Sequence, residues 1–150
     1  MRIVIQRVSH ASVKAEPNYF CRIGEGMMIL VGVENGDTDD DVEFLAKKTA
    51  ALRIFNDENG VMNRSIVDID GQIMAISQFT LLASTRKGNR PSYIRSAPGE
   101  FAHDLYRKFC RALSEKVNRP IALGVFGADM KIELLNDGPV TIIIDSRIRE

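Results

Sequence analysis

With 150 residues, 45% of them hydrophobic and 27% charged, the chain has the composition of one soluble globular domain, expected to span residues 1–150 with no room for a second. A chain of this size buries about 68–70% of the surface its unfolded form exposes, so its core needs neither disulfides nor a structural metal. Twenty Lys+Arg offset twenty Asp+Glu, which excludes a nucleic-acid binder driven by bulk charge and leaves such contacts to a local patch.

The opening Arg2-Ile3-Val4-Ile5-Gln6-Arg7 sets polar groups where a signal peptide is apolar, and the longest apolar stretch, Met27 to Val33, is about a third of the roughly 20 residues a membrane span needs. A cytoplasmic protein without membrane contact is expected. Cys21 and Cys110 stand far apart with no CxxC or His-rich companion. That pattern fits a reducing compartment and argues against zinc, and a lone cysteine is most often buried filler.

Strand signals come first. Ala11, Val13 and Ala15 alternate with Ser12, Lys14 and Glu16, and Pro17-Asn18 separates them from Tyr19 to Ile23, which reads as a hairpin. After a turn at Gly24-Glu25-Gly26, the unbroken apolar run Met27 to Val33 predicts a central strand covered on both faces. From Thr38 the period becomes helical, with Val42, Leu45, Ala46, Thr49 and Leu52 on one face and Thr38 with Asp41 suited to a capping box.

Ser65 to Ile69, a turn at Asp70-Gly71 and the strand-like Gln72 to Ile76 follow. A second helix is expected from about Pro98 to Val117, burying Phe101, Ala102, Leu105, Phe109, Leu113 and Val117 with His103, Arg107 and Arg111 in water, and Asn118 and Pro120 end it. Ile121 to Phe126, Lys131 to Leu135, a turn at Asn136-Asp137-Gly138-Pro139 and Val140 to Ile144 close the chain. Short turns imply antiparallel neighbours, so the predicted class is α+β, a largely antiparallel sheet packed with two main helices and without alternating parallel βαβ units.

No GxGxxG, P-loop, GxSxG or HExxH motif occurs, and Gly124-Val125-Phe126-Gly127 follows a strand rather than joining two helices as a KH loop does. Three segments stand out. In Ser77-Gln78-Phe79-Thr80-Leu81 an apolar strand turns polar; alternation would put Gln78 and Thr80 on one face and Ser77 and Phe79 on the other, and an exposed strand end explains the residue types equally. Gly138-Pro139 joins two strand-like runs, either as a plain turn or as a cis bond whose two carbonyl oxygens face one way. The loop Ser84 to Tyr93 sets Arg86, Lys87 and Arg90 beside an aromatic, which suits a phosphate backbone with a stacked base or ordinary solvated charge.

Taken together, Gln6-Arg7-Val8, Leu52-Arg53-Ile54-Phe55, Ser77-Gln78-Phe79-Thr80-Leu81, Lys87-Gly88-Asn89-Arg90-Pro91-Ser92, Gly124 to Met130 and Asn136 to Thr141 closely resemble the D-aminoacyl-tRNA deacylase family over essentially the whole chain. The resemblance implies that family's fold and a cytoplasmic homodimer that hydrolyses the ester between a D-amino acid and the terminal adenosine of tRNA. It also implies removal of glycine from mischarged alanine tRNA. No metal or organic cofactor, no membrane and no DNA partner is implied.

Family sites are similar in setting the SQFTL segment at the floor of a pocket and inserting the partner's Gly-cis-Pro over it. Carried onto this chain, Thr80, Phe79, Gln78 and Ser77 are the candidate catalytic residues, Gly138, Pro139, Arg7 and Met130 the substrate-binding ones, and Arg86, Lys87 and Arg90 the tRNA-binding ones. Thr80 has no His or Lys nearby in sequence as a base, which favours an orienting hydroxyl over a nucleophile. Backbone N–H groups at Phe79 and Thr80 would steady the oxyanion, and the ribose 2′-hydroxyl would help move the proton. Arg7 would direct the Gly138-Pro139 carbonyls. Two rival readings are a non-catalytic RNA-binding module, which needs no proline turn paired with a polar strand end, and a generic esterase, which would show a nucleophile with its base.

Overall fold

The computed structural model describes residues 1–149. The alternation seen at Ala11–Ala15 extends back to the start of the chain, with Ile3, Ile5, Ala11, Val13 and Ala15 all buried, and makes one long strand, β1 (Arg2–Ala15). β2 (Tyr19–Ile23) returns antiparallel with Ala15 opposite Tyr19, so the expected hairpin forms. β3 (Gly26–Gly32) pairs antiparallel with β1 along Arg2–Val8, while β2 pairs along Ala11–Ala15.

The first helix, α1 (Asp39–Ala51), starts at Thr38, whose N–H donates to the Asp41 carboxylate (2.8 Å), and it buries Val42, Leu45, Ala46 and Thr49 as the periodicity predicts. A short ribbon of β4 (Phe55–Asn56) and β5 (Met62–Arg64) follows. Ser65–Ile69 is then coil and turn, and β6 (Gln72–Ser77) lies parallel to β3.

After one 3-10 turn, Phe79–Leu82, the second helix α2 (Gly99–Val117) closes on Asn118 in the left-handed conformation. β7 (Ala122–Leu123) is shorter than the Ile121–Phe126 run and lies parallel to β6. The expectation of no parallel βαβ units therefore fails at both helices. A helix between two strands carries the chain back to the end where it started, and each such crossover here gives a parallel pair, whereas the β1–β2 hairpin is antiparallel. The α+β class holds, with the sheet mostly antiparallel.

Along α2, Leu105, Tyr106, Phe109, Cys110, Leu113 and Val117 are buried, but Phe101 is 43% exposed. Tyr106 and Cys110 shift the apolar stripe around the helix, which leaves Phe101 outside its margin. The helical face of the sheet holds the larger core, with Ile29, Leu45, Ile73 and Phe109 at its centre. The other face curls so that the Tyr19 hydroxyl on β2 donates to the Leu123 carbonyl on β7, enclosing Val8, Val13, Met28, Met74 and Ile76. Among the described residues no helix is long and apolar enough to cross a membrane.

The last strand departs most from expectation. Lys131–Leu135 and Val140–Ile144 are not two strands joined by a turn but parts of one, β8 (Met130–Asp145), which follows the other edge of β1 along nearly its full length. Gln6 faces Thr141 and Val8 faces Asn136, so four residues, Asp137 to Val140, stand opposite Arg7 alone. They leave the ladder as a bulge.

Candidate active site

β6 leaves the sheet at Ser77. The Gln78 N–H still donates to the Val31 carbonyl (2.7 Å), after which Phe79–Leu82 wind into the 3-10 turn with Leu82 buried beneath it. Strand alternation therefore does not govern this segment, because the winding replaces the pleat. Gln78 and Thr80 meet all the same, since the Gln78 side-chain amide donates to Thr80 Oγ1. A hydroxyl oxygen that accepts from one neighbour keeps its own hydrogen for a second. Thr80 is thus arranged as a donor, with an amide rather than a base beside it.

A cavity of about 430 Å³ opens next to this turn. Ser77, Gln78 and Phe79 form one side, the start of α2 a second through Gly99, Ala102 and Tyr106, and the stretch from Phe126 to Met130 a third. Phe79 is 55% exposed at the rim and meets Tyr93 edge to face with ring centroids 5.0 Å apart. Met130 lines the wall and receives the Val125 N–H at its sulfur (3.3 Å). Thr80 itself is half-buried in the turn behind Gln78.

Several wall residues, Ser96, Ala97 and Tyr106, were not singled out by sequence reasoning. The apolar stripe at the start of α2 reads as core, and part of it instead faces an opening. The Tyr106 hydroxyl donates to the Ala75 carbonyl (2.8 Å), and burial raises its pKa, so it serves as an anchor. His103 lies with its ring against that of Phe126, centroids 4.7 Å apart, while His10 is exposed on β1. Burial pushes the Cys110 thiol up to about 12, which makes it an unreactive core residue.

Gly138 and Pro139 are exposed on the bulge of β8, and the bond between them is cis. Asn136 pinches the base of the bulge, its Oδ1 accepting from the Val140 N–H (3.1 Å). Arg7, only 7% exposed, lies underneath. It does not hold the Gly138 or Pro139 carbonyl as expected. Its Nε donates to the Asp137 carbonyl (3.0 Å) and its Nη1 to the Ile54 carbonyl (2.7 Å) and Asn56 Oδ1 (3.3 Å). Arg7 thus ties the first peptide of the bulge to β4, and Gly138 sits above the guanidinium with no room for a Cβ.

The two groups of candidate residues do not meet within one chain. Arg7 pairs with Met27 and Ser77 with Val31, four residues further along β3, or about 13 Å. Neither Gly138 nor Pro139 lines the cavity. The basic loop comes to the rim of the cavity through Tyr93. Ser84 and Ser92 exchange two backbone hydrogen bonds of 2.9 Å, closing a loop that exposes Arg86, Lys87 and Arg90, and Tyr93 follows directly against Phe79.

The family described as D-Tyr-tRNA(Tyr) deacylase matches residues 4–145. The chain is 56% identical to the D-aminoacyl-tRNA deacylase of Parabacteroides distasonis and 53% to that of Flavobacterium johnsoniae, in each case over all of both chains. Among solved structures it superposes on a c-Myc DNA unwinding element binding protein with a TM-score of 0.90 at 37% identity, covering 97% of this chain and 98% of that one. A probable eukaryotic D-amino acid tRNA deacylase superposes with a TM-score of 0.80 at 15% identity, covering 95% and 97%, a likeness of fold.

Proposed function

The chain belongs to the D-Tyr-tRNA(Tyr) deacylase family and hydrolyses D-aminoacyl-tRNA, and on that premise we propose that it does so, in the cytoplasm, at a site built from two copies of the chain. The observation that carries this reading is the separation of its halves. A cavity walled by Gln78, whose amide holds the Thr80 hydroxyl behind it, lies at one end of β3, while an exposed Gly138-Pro139 bulge, braced by a buried arginine, lies at the other. A two-fold dimer presents each bulge to the other copy's cavity and gives two equal sites.

In this reading the terminal adenosine enters the cavity past Phe79 and Met130, which pack against its base, and Ser77 supports the floor. Thr80 donates to the ester and Gln78 holds Thr80 in that orientation. The first N–H groups of a helical turn have no partner within it, and those of Phe79 and Thr80 stabilise the oxyanion. Water attacks, and the ribose 2′-hydroxyl relays the proton.

The Gly138 and Pro139 carbonyls of the partner accept hydrogen bonds from the substrate ammonium and occupy the space an L side chain would need. A gate made of backbone tolerates any D side chain directed outward. It has nothing to exclude in glycine, so glycine on alanine tRNA is also removed.

Thr80→Ala tests the assignment of the hydroxyl. A donor of this kind contributes about 100- to 1000-fold to turnover, so the variant should fold normally, lose that much of kcat and keep a measurable residue. A trapped acyl ester on Thr80 in the mass spectrum of the native enzyme would instead make it the nucleophile. The Arg86, Lys87 and Arg90 triple alanine variant should weaken tRNA binding and flatten its salt dependence by about 2–3 units of slope, with D over L preference unchanged. An unchanged slope would place the tRNA on another surface.

A further inference from the structure

We infer that Glu34, acting through Arg95, is a positioning residue for the cavity wall that carries Ser96 and Ala97, and through Ser96 for the Phe79–Thr80 peptide. The inference rests on the reading of that peptide as the seat of the ester.

Residues 94–97 belong to neither helix nor strand. They lie beside 33–35, held by the Asn35 N–H on the Arg95 carbonyl (2.9 Å), the Ala97 N–H on the Val33 carbonyl (3.0 Å) and Asn35 Nδ2 on the Ile94 carbonyl (3.0 Å). Two backbone bonds and one side-chain amide in a row fix the spacing of the two segments but leave the outer one able to roll about its axis. The roll is stopped by a side-chain tie, Arg95 Nε donating to Glu34 Oε1 (2.7 Å).

Glu34 is built for this work. Its carboxylate is 9% exposed and also faces Arg147 Nη1 at 3.4 Å, and Arg147 in turn meets Asp37 at 3.1 Å. The hydrogen bond from Arg95, then the charges of Arg147 and Arg95, hold the Glu34 carboxyl below the usual carboxylate range in spite of its burial. Arg95, by contrast, is 44% exposed. Removing it leaves Arg147 to neutralise Glu34, so loss of the tie does not strand a buried charge.

From the wall the constraint passes to the turn. Ser96 Oγ donates to the Phe79 carbonyl (3.2 Å). In a trans peptide the next N–H points opposite to the carbonyl, so holding the Phe79 oxygen also sets the direction of the Thr80 N–H. A misdirected donor weakens transition-state binding while leaving tRNA contacts intact.

Steady-state deacylation of D-aminoacyl-tRNA by the full chain, with thermal melts, tests this on Arg95→Ala, Arg95→Lys and Glu34→Gln. Arg95→Ala should lower kcat about tenfold or more while KM for tRNA stays within about twofold, and Glu34→Gln, whose amide oxygen still accepts from Arg95 but without the charge, should lower kcat by less. Arg95→Lys, which still reaches the carboxylate, should recover most of kcat. A wild-type kcat in Arg95→Ala overturns the inference. So does a raised KM with a flattened salt slope, which would make Arg95 a direct phosphate contact, or a kcat loss that merely follows the melting temperature. Thr80→Ala is measured alongside. If it too keeps a wild-type kcat, the reading of the site falls with the inference; if it is impaired while Arg95→Ala is not, only the inference falls.

Discussion

Gly138→Ala should cost D-aminoacyl-tRNA hydrolysis roughly a hundredfold, the scale of loss expected when a group that positions the substrate moves by about 1 Å. Gly138 has φ +128°, a conformation that L side chains rarely adopt, and a Cβ there would lie 2.8 Å from Val140 Cγ2 and 2.9 Å from Arg7 Nη2. Arg7 is fixed by three acceptors and cannot yield, so the bulge has to move. The position is exposed, and the fold should survive, as a thermal melt would confirm.

The decisive form of this experiment pairs the variant with Thr80→Ala. In the proposed dimer each variant homodimer should be impaired, but a heterodimer, co-expressed with two different C-terminal tags, should hold one site with Thr80 from one copy and Gly138 from the other. It should recover about half of the wild-type rate per dimer, since one of two equivalent sites is whole. A heterodimer as poor as its parents would mean that the bulge serves no cavity but its own, or none, and the shared site would have to be abandoned.

Arg7→Ala should damage both stability and activity. The guanidinium is almost wholly buried, and its loss leaves the Asp137 and Ile54 carbonyls and Asn56 Oδ1 without their donor. One buried acceptor, the Ile54 carbonyl, and two partly buried ones left without a donor correspond to about 2–4 kcal/mol, or about 5–15 °C in melting temperature for a domain of this size. Arg7→Lys separates the charge from the geometry, because one ammonium cannot span acceptors placed for the guanidinium fork. Lysine should restore part of the stability measured in urea and little of the hydrolysis measured well below the melting temperature. Full recovery of both by lysine would show that charge alone is required and that Arg7 does not shape the bulge.

The elements legible in the sequence are those whose burial repeats locally. The stripe Val42, Leu45, Ala46 and Thr49 places α1, the alternation around Val13 with Pro17-Asn18 places the hairpin, and the apolar run after Gly26 places the central strand. In each case the signal and the structure lie within a few residues of one another. Phe101 shows the limit even there, since helical period defines a stripe but not which of its margins the sheet will cover.

The candidate residues were legible in kind and not in arrangement. That Ser77 to Leu81 turns polar at a strand end, and that Gly138-Pro139 joins two strand-like runs, are properties of the chain itself, and the likeness of these segments to one family was enough to name the reaction. What the sequence determined by itself is therefore the class of fold, the reaction and the candidate residues. Tertiary structure decided how they are presented. The parallel pairing of β3 with β6 sets the Ser77 end beside Val31, and the register of β1 on β8 pushes Asp137 to Val140 out opposite Arg7. The wall at Ser96 is tied down by a glutamate 61 positions away from its arginine. No local pattern encodes such pairings, because register and ion pairing are settled only when segments distant in the chain compete for the same neighbours as the core closes.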